Sequence, residues 1–156
     1  MDIPFSLAGR TALIAGASSG FGARFAELFA AAGARVVLGA RRTDRTEELA
    51  EKINGAGGQA MAVPLDVTDE ASIIACYDAA EANFGTVDSI VANAGVAATG
   101  RSTDVPVDRL QALLDTNFKG VYLVAREGAK RLIASGSREK ENGRIVIIGS
   151  ITSRLT

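Results

Sequence analysis

Apolar positions along this chain fall into short continuous runs and longer stretches of helical spacing, and the two alternate from Thr11 to Gly149. Thr11 to Ala15 is an apolar run closed by Gly16, which predicts a strand and a tight turn. Phe21, Phe25, Leu28, Phe29 and Ala32 then recur at helical spacing until Gly33, so a helix follows. Arg35 to Ala40 supplies a second strand, completing a β-α-β unit within about 30 residues, the usual minimum for parallel strands. Asp44 and Glu47 resemble a capping box for a second helix, with Leu49 and Ile53 facing inward and Gly55 at its end. Ala60 to Leu65 is a third strand. Thr68, Asp69 and Glu70 open a helix through Ile73, Tyr77, Ala80 and Phe84, which Gly85 terminates before a fourth strand, Val87 to Ala92. Beyond a polar loop around Thr99 to Thr103, a long helix is predicted from Pro106 to Ala134, burying Leu110, Leu113, Leu114 and Val121, with a polar end at Ser135 to Gly143. Arg144 to Gly149 makes a fifth strand, apolar at every position from Ile145 to Ile148, the pattern of a strand covered on both faces. Strands alternating with helices in this way predict an α/β fold, a doubly wound parallel sheet.

Composition narrows the partners. The 156 residues suit one domain, 47% of them are apolar and 22% charged, and a net charge of -1 provides no field for nucleic acid or an anionic membrane. No apolar run approaches the roughly 18 residues of a membrane span, and Met1 to Pro4 lacks the positive start of a secretory signal. A single cysteine, Cys76, cannot form an intrachain disulfide and fits the cytoplasm. The chain has no histidine, which excludes Ser-His-Asp and Cys-His pairs and most zinc sites within it; no metal is expected.

The candidate chemistry begins at the turn Gly16-Ala17-Ser18-Ser19-Gly20-Phe21-Gly22, between the first strand and the first helix. Glycines there leave no Cβ between backbone and ligand, and a helix start offers N–H groups and partial positive charge to a pyrophosphate. A plain strand-to-helix turn is the competing reading. After the second strand come Arg41 and Arg42, and no acidic residue stands at Ala40. An Asp or Glu in that place would hold ribose hydroxyls and repel a 2′-phosphate, whereas an arginine pairs with it, so NADP(H) is preferred with NAD(H) as second choice. The alternative is that both arginines merely solvate the loop. The main contact is assigned to Arg41.

The Gly-x3-Gly-x-Gly spacing resembles the short-chain dehydrogenase/reductase family, and further matches run across essentially the whole chain. Asp66-Val67 follows the third strand, Asn93-Ala94-Gly95 ends the fourth, Asn117 lies in the long helix before Gly120, and Ser150 follows the fifth strand. Ala15 and Ala92 depart from the Thr and the first Asn usual in the family, which puts local supporting hydrogen bonds in doubt. The resemblance implies a Rossmann-type fold and an oxidoreductase moving hydride between nicotinamide and a small alcohol or carbonyl substrate. It implies nucleotide contacts from Gly16, Ser18, Ser19, Gly20, Phe21, Gly22, Arg41, Arg42, Asp66, Val67, Asn93, Ala94 and Gly95. Catalytic parts are implied for Ser150, which orients the substrate oxygen, and Asn117, which supports a water-linked proton relay. Asn93 and Asn117 could equally satisfy backbone groups at a strand end or helix bend.

The family's proton donor is a Tyr in Tyr-x3-Lys. Tyr77 is followed four positions on by Glu81 and Tyr122 by Arg126, so neither matches. The resemblance places that pair beyond Thr156, and the expectation is one dinucleotide-binding domain over residues 1–156, incomplete at its C-terminal end and inactive by itself. An apolar edge at Ile145 to Ile148 points the same way, because natural sheets protect such edges. Homodimers or homotetramers packing the long helix are implied for the complete enzyme. A non-catalytic nucleotide-binding or regulatory module is the alternative, and a nucleoside-binding transferase accounts less well for Asn93, Asn117 and Ser150 together.

Overall fold

The structure is a computed structural model describing residues 5–98 and 100–150. Residues 1–4, with the N-terminal segment read above, and Thr99 lie outside the described residues, as do residues 151–156. Strands β1 (Thr11–Ala15), β2 (Arg35–Ala40), β3 (Gln59–Pro64), β4 (Ser89–Ala92) and β5 (Arg144–Ile147) form one sheet in the order β3-β2-β1-β4-β5. Every pairing is parallel, with Ala12 opposite both Val36 and Ser89, and Ile90 opposite Ile145. The chain therefore reverses its direction of winding between β1 and β4, the switch point at which open sheets of this kind bind ligands.

Helices α1 (Gly20–Ala31) and α2 (Thr43–Gly55) cover one face, over Ala12, Ile14, Val36, Leu38 and Val91. On the other face α3 (Glu70–Phe84) and α5 (Val121–Ala134) cover Leu13, Ala15, Val37 and Ile90. Strand residues bury on both sides because each face has its own helices, so β1 is buried at every position.

Helix α1 does not bury the residues that identify it. Its buried positions are Gly22, Ala26 and Ala30, while Phe21 is 72% exposed and stacks on Phe25, which in turn packs against Phe29. Small residues let the helix axis approach the sheet, and half-buried Phe25 and Phe29 pack against the same core. Helix α2 begins at Thr43 with Arg42 at its cap position, so the expected Asp44–Glu47 capping box is absent and Asp44 sits inside the first turn. Only Arg41 and Arg42 separate β2 from that helix, which starts it early. Helix α3 starts as expected, with the Asp69 carboxylate accepting from the Ala71 N–H, and stops at Gly85, whose φ is 76°.

The long helix is continuous but not uniform: α4 (Val107–Leu114) passes through a π-helical segment, Asp115–Gly120, into α5. None of α4 is buried. Leu110 and Leu114, expected in the core, are 47% and 45% exposed, Leu113 is half-buried, and only Val121 packs against the core. Helical spacing marks an apolar side without saying what covers it. Val107, Leu110, Leu114, Phe118 and Tyr122 follow one another every three or four residues, all exposed. Strand β5 likewise pairs only with β4, and Ile145, Val146 and Ile147 are exposed, so among the described residues nothing supplies the two-sided cover its composition led us to expect. A short helix α6 (Ser137–Lys140) precedes it.

The α3–α5 contact holds a partly buried charge. Arg131 donates from three nitrogens to Asp78, Glu81 and Glu127, each at 2.8 Å, and its guanidinium lies 5.3 Å from the Tyr77 ring centre. Burial opposes its charge, but the three carboxylates outweigh that and raise its pKa. Beneath it Tyr77 is buried and donates to the Val124 carbonyl at 3.0 Å. Neighbouring Cys76 is fully buried, and desolvation pushes its thiol up to about 12, a rise that the charge of Arg131 only partly offsets. At pH 8 its thiolate fraction is then on the order of 10⁻⁴, and the thiolate is the nucleophile. Native protein should fail to react with an aromatic disulfide reagent at pH 8 and should release one thiol equivalent in denaturant. Rapid native labelling would contradict this burial.

Candidate functional site

The site forms where β1 and β4 end side by side. Gly16, immediately after β1, has φ 81°, and a Cβ there would stand 2.7 Å from the Ala94 Cα and 2.9 Å from its nitrogen. Gly22, in the first turn of α1, would place a Cβ 2.2 Å from the Gly16 carbonyl oxygen. Two glycines are thus required by packing of backbone on backbone, whereas Gly20, at φ 58°, has open space around its missing Cβ. The N–H groups of Gly16 and Ala17 donate to the Gly39 carbonyl at 2.8 and 3.2 Å, tying the turn to β2. Gly39 went unnoticed in the sequence, although a glycine inside an apolar strand is itself a sign of close approach; a Cβ there would meet Leu65 Cδ2 at 2.5 Å.

Asn93 joins the two strand ends. Its Nδ2 donates to the Gly16 carbonyl at 3.2 Å and, more weakly, to that of Ala15 at 3.4 Å. Asn117, in the π segment, closes a two-way pair with Val96: Nδ2 donates to the Val96 carbonyl and Oδ1 accepts its N–H, both at 2.8 Å. Both asparagines therefore satisfy backbone groups, as the structural alternative held. Neither bond precludes contact with a ligand.

A cleft of about 390 Å³ opens above this junction, lined by Gly16, Ser18, Ser19, Arg41, Arg42, Asp66, Val67, Asn93, Ala94 and Gly95. Ala40, where the missing carboxylate was noted, completes the lining together with Leu65, Val96 and Thr116, which the sequence does not mark as site residues. Gly20, Phe21 and Gly22 form the first turn of α1 and are not among the lining residues. Asn117 is not among them either, although its neighbour Thr116 is. Ser150 is exposed, three positions past the last residue of β5, and also stands apart from the lining.

The charges in the cleft are unequal. Asp66 accepts from the Thr68 N–H at 2.9 Å and the Thr68 hydroxyl at 2.8 Å, and these bonds, aided by the charge of Arg41, hold its carboxyl below the ordinary 3.8 against the effect of burial. Arg42 turns to the glycine-rich loop, where one Nη donates to Ser18 Oγ at 2.8 Å and to Ser19 Oγ at 2.9 Å. Among the described residues no group of three or more acidic, cysteine or histidine side chains could hold a metal, and no helix is long and apolar enough to cross a membrane. Glycine backbone, hydroxyls, two guanidiniums and one carboxylate line one cleft, a donor set suited to the phosphates and ribose of a nucleotide.

Comparison with known proteins agrees with this geometry. A family model described as short chain dehydrogenase matches residues 10–156. The chain is 34% identical over 153 residues to a protein named short chain dehydrogenase claC from Passalora fulva, covering 97% of this chain and 55% of that one. It is 37% identical over 146 residues to the oxidoreductase UcpA of Salmonella typhimurium, covering 94% and 53%. A crystal structure of a short-chain type dehydrogenase/reductase from Mycobacterium marinum superimposes with a TM-score of 0.90 at 34% identity, over 96% of this chain and 59% of that one. The chain spans about half the length of the curated relatives it matches.

Gly16 offers a direct test of the junction. Gly16→Ala should lower both melting temperature and nucleotide affinity, since positive φ costs a side chain roughly 1–2 kcal/mol and the Cβ must also push Ala94 away. Gly57→Ala, at φ 85° with open space, should show the strain alone and leave nucleotide affinity unchanged. Equal behaviour of the two variants in thermal melts and fluorescence titrations would refute the packing argument.

Proposed function

This chain belongs to the short-chain dehydrogenase family, and on that premise we propose that it holds NADP(H) for hydride transfer between nicotinamide and a small alcohol or carbonyl compound. The observation that carries the cofactor choice is the end of β2, where Arg41 and Arg42 line the cleft and Ala40 stands in place of a carboxylate. In this reading the turn from Gly16 to Gly22 receives the pyrophosphate, helped by the N-terminus of α1, Asp66 and Val67 flank the adenine, and Asn93, Ala94 and Gly95 form the floor. When bound, the cofactor supplies or accepts the hydride.

Two further roles belong to side chains of this chain. Ser150 orients the substrate oxygen by hydrogen bonding. Asn117 acts first as a positioning residue, because its amide fixes the Val96 backbone beside the cleft, and from there it supports a proton relay through water. No Tyr-x3-Lys motif occurs within these 156 residues, and the second reading is a nucleotide-binding module without catalysis. The cytoplasm suits a chain whose single cysteine is a buried free thiol.

Titration of the protein with NADPH and NADH, followed by cofactor fluorescence, tests the cofactor assignment. NADPH should bind at least about tenfold more tightly, the discrimination expected of one charge-assisted contact. Tighter binding of NADH would reject it, while NADPH binding with no carbonyl reduction by the intact polypeptide would favour the module. The exposed stripe from Val107 to Tyr122 is the surface we assign to packing between copies. Phe118→Lys, at the centre of it, should shift sedimentation toward a smaller species, and an unchanged assembly would move the interface elsewhere.

A further inference from the structure

We propose that Asn142 is a self-modification site, at which the fold promotes loss of the side-chain amide to give aspartate and isoaspartate. The chain has two Asn-Gly steps, Asn54-Gly55 and Asn142-Gly143. A glycine after asparagine leaves the main-chain nitrogen unhindered in reaching Cγ of the preceding side chain. The structure treats the two steps oppositely. Asn54 is closed at both ends of its amide: Nδ2 donates to the Ala60 carbonyl at 3.0 Å and Oδ1 accepts the Ala60 N–H at 2.7 Å. Gly55 is the last residue of α2, where N–H groups are given to carbonyls one turn back. Asn142 instead lies in irregular chain between α6 and β5, and among the described residues neither its Nδ2 nor the Gly143 N–H has an acceptor.

Two contacts activate this step. The Asn142 carbonyl belongs to the same peptide unit as the Gly143 N–H, and it accepts from Arg10 Nη1 at 2.8 Å. Deprotonation of that N–H moves negative charge onto the carbonyl oxygen, where the guanidinium stabilises it. Asp88, 3.8 Å from the same Nη1, is too far to take this hydrogen bond for itself. On the other reacting group, the buried Ser137 hydroxyl donates to Asn142 Oδ1, which withdraws electrons from Cγ and stabilises the oxyanion formed on attack. The Gly143 nitrogen then bonds to Cγ, the Cγ–Nδ2 bond breaks, and ammonia leaves with a proton from solvent. Water opens the resulting cyclic imide at either carbonyl, so the net change is gain of water and loss of ammonia, with no oxidation. Either product alters the entry to β5. Aspartate places a carboxylate beside Ser137, and isoaspartate adds a carbon to the main chain ahead of Arg144, whose N–H is given to the Asp88 carbonyl at 2.8 Å.

Peptide mapping by mass spectrometry, on the intact polypeptide incubated at pH 8 with and without denaturant, measures conversion at both asparagines. Comparing each site with itself removes the effect of neighbouring sequence. In the native protein Asn142 should convert faster than in denaturant, and Asn54 should convert more slowly. Arg10→Gln and Ser137→Ala, each shown by circular dichroism to be folded, should lower the native rate at Asn142 severalfold and leave Asn54 unchanged. Conversion at Asn142 that is no faster in the native protein than in denaturant, or that neither variant diminishes, overturns the proposal.

Discussion

The site depends on a contact between two pieces of backbone. Where β1 and β4 end, the turn after one strand and the loop after the other come so close that Gly16 cannot carry a Cβ without striking Ala94, and Gly22 cannot carry one without striking Gly16. Parallel strands at a winding switch point leave their carboxyl ends unpaired above the sheet, and some group must satisfy the carbonyls there. Asn93 does so for Gly16. With that junction closed, α1 starts at a fixed place, its small-residue stripe sits against β1, and the residues after β2 arrive within reach of Ser18 and Ser19.

Much of this was legible because it is local. Glycine spacing, apolar runs and helix stops located all five strands within a few residues, and the arginines after Ala40 were visible as a missing carboxylate. What the pattern could not convey was which side of a helix meets its neighbour. In α1 three phenylalanines dominate the apolar spacing, yet the fully buried positions are Gly22, Ala26 and Ala30, with Phe25 and Phe29 only half-buried against the core, because close approach of helix to sheet favours small side chains over hydrophobic bulk. In α4 the apolar positions are real but face outward, since apolar periodicity carries no information on whether the covering surface is the same sheet. Arg42 illustrates a third limit. Its partners lie 23 and 24 residues away, and only the closed sheet shows that a charged residue assigned second place is the one tied to the turn.

Departures at Ala15 and Ala92 prove compatible with the fold. Both are buried strand residues, 1% and 2% exposed, and the hydrogen bonds that hold the junction come from Asn93 and from the Gly39 carbonyl. Each of these bonds ends on a main-chain oxygen, so the turn is held through backbone geometry that a neighbouring alanine does not disturb.

The π segment explains how a single long helix serves two unlike surfaces. A π turn makes i to i+5 hydrogen bonds and shifts the angular register of everything after it, and such segments recur at functional sites. Here Asp115–Gly120 contains both Asn117, paired with the Val96 backbone, and Gly120, where a Cβ would lie 2.7 Å from Val67 Cγ2. One side of the segment is therefore bound to the loops after β4 and β3, the same loops that line the cleft. Its Phe118 remains exposed in line with Leu114 and Tyr122 on the outer side. Farther along, Gly128 admits the Tyr77 hydroxyl and Ile90 at distances no Cβ would permit, and Arg131 fastens α5 to α3 through Asp78 and Glu81 while Glu127 holds the guanidinium from its own helix. The helix is thereby fixed at its far end by charge and at its near end by Asn117, and the position of Thr116 in the cleft wall follows from both.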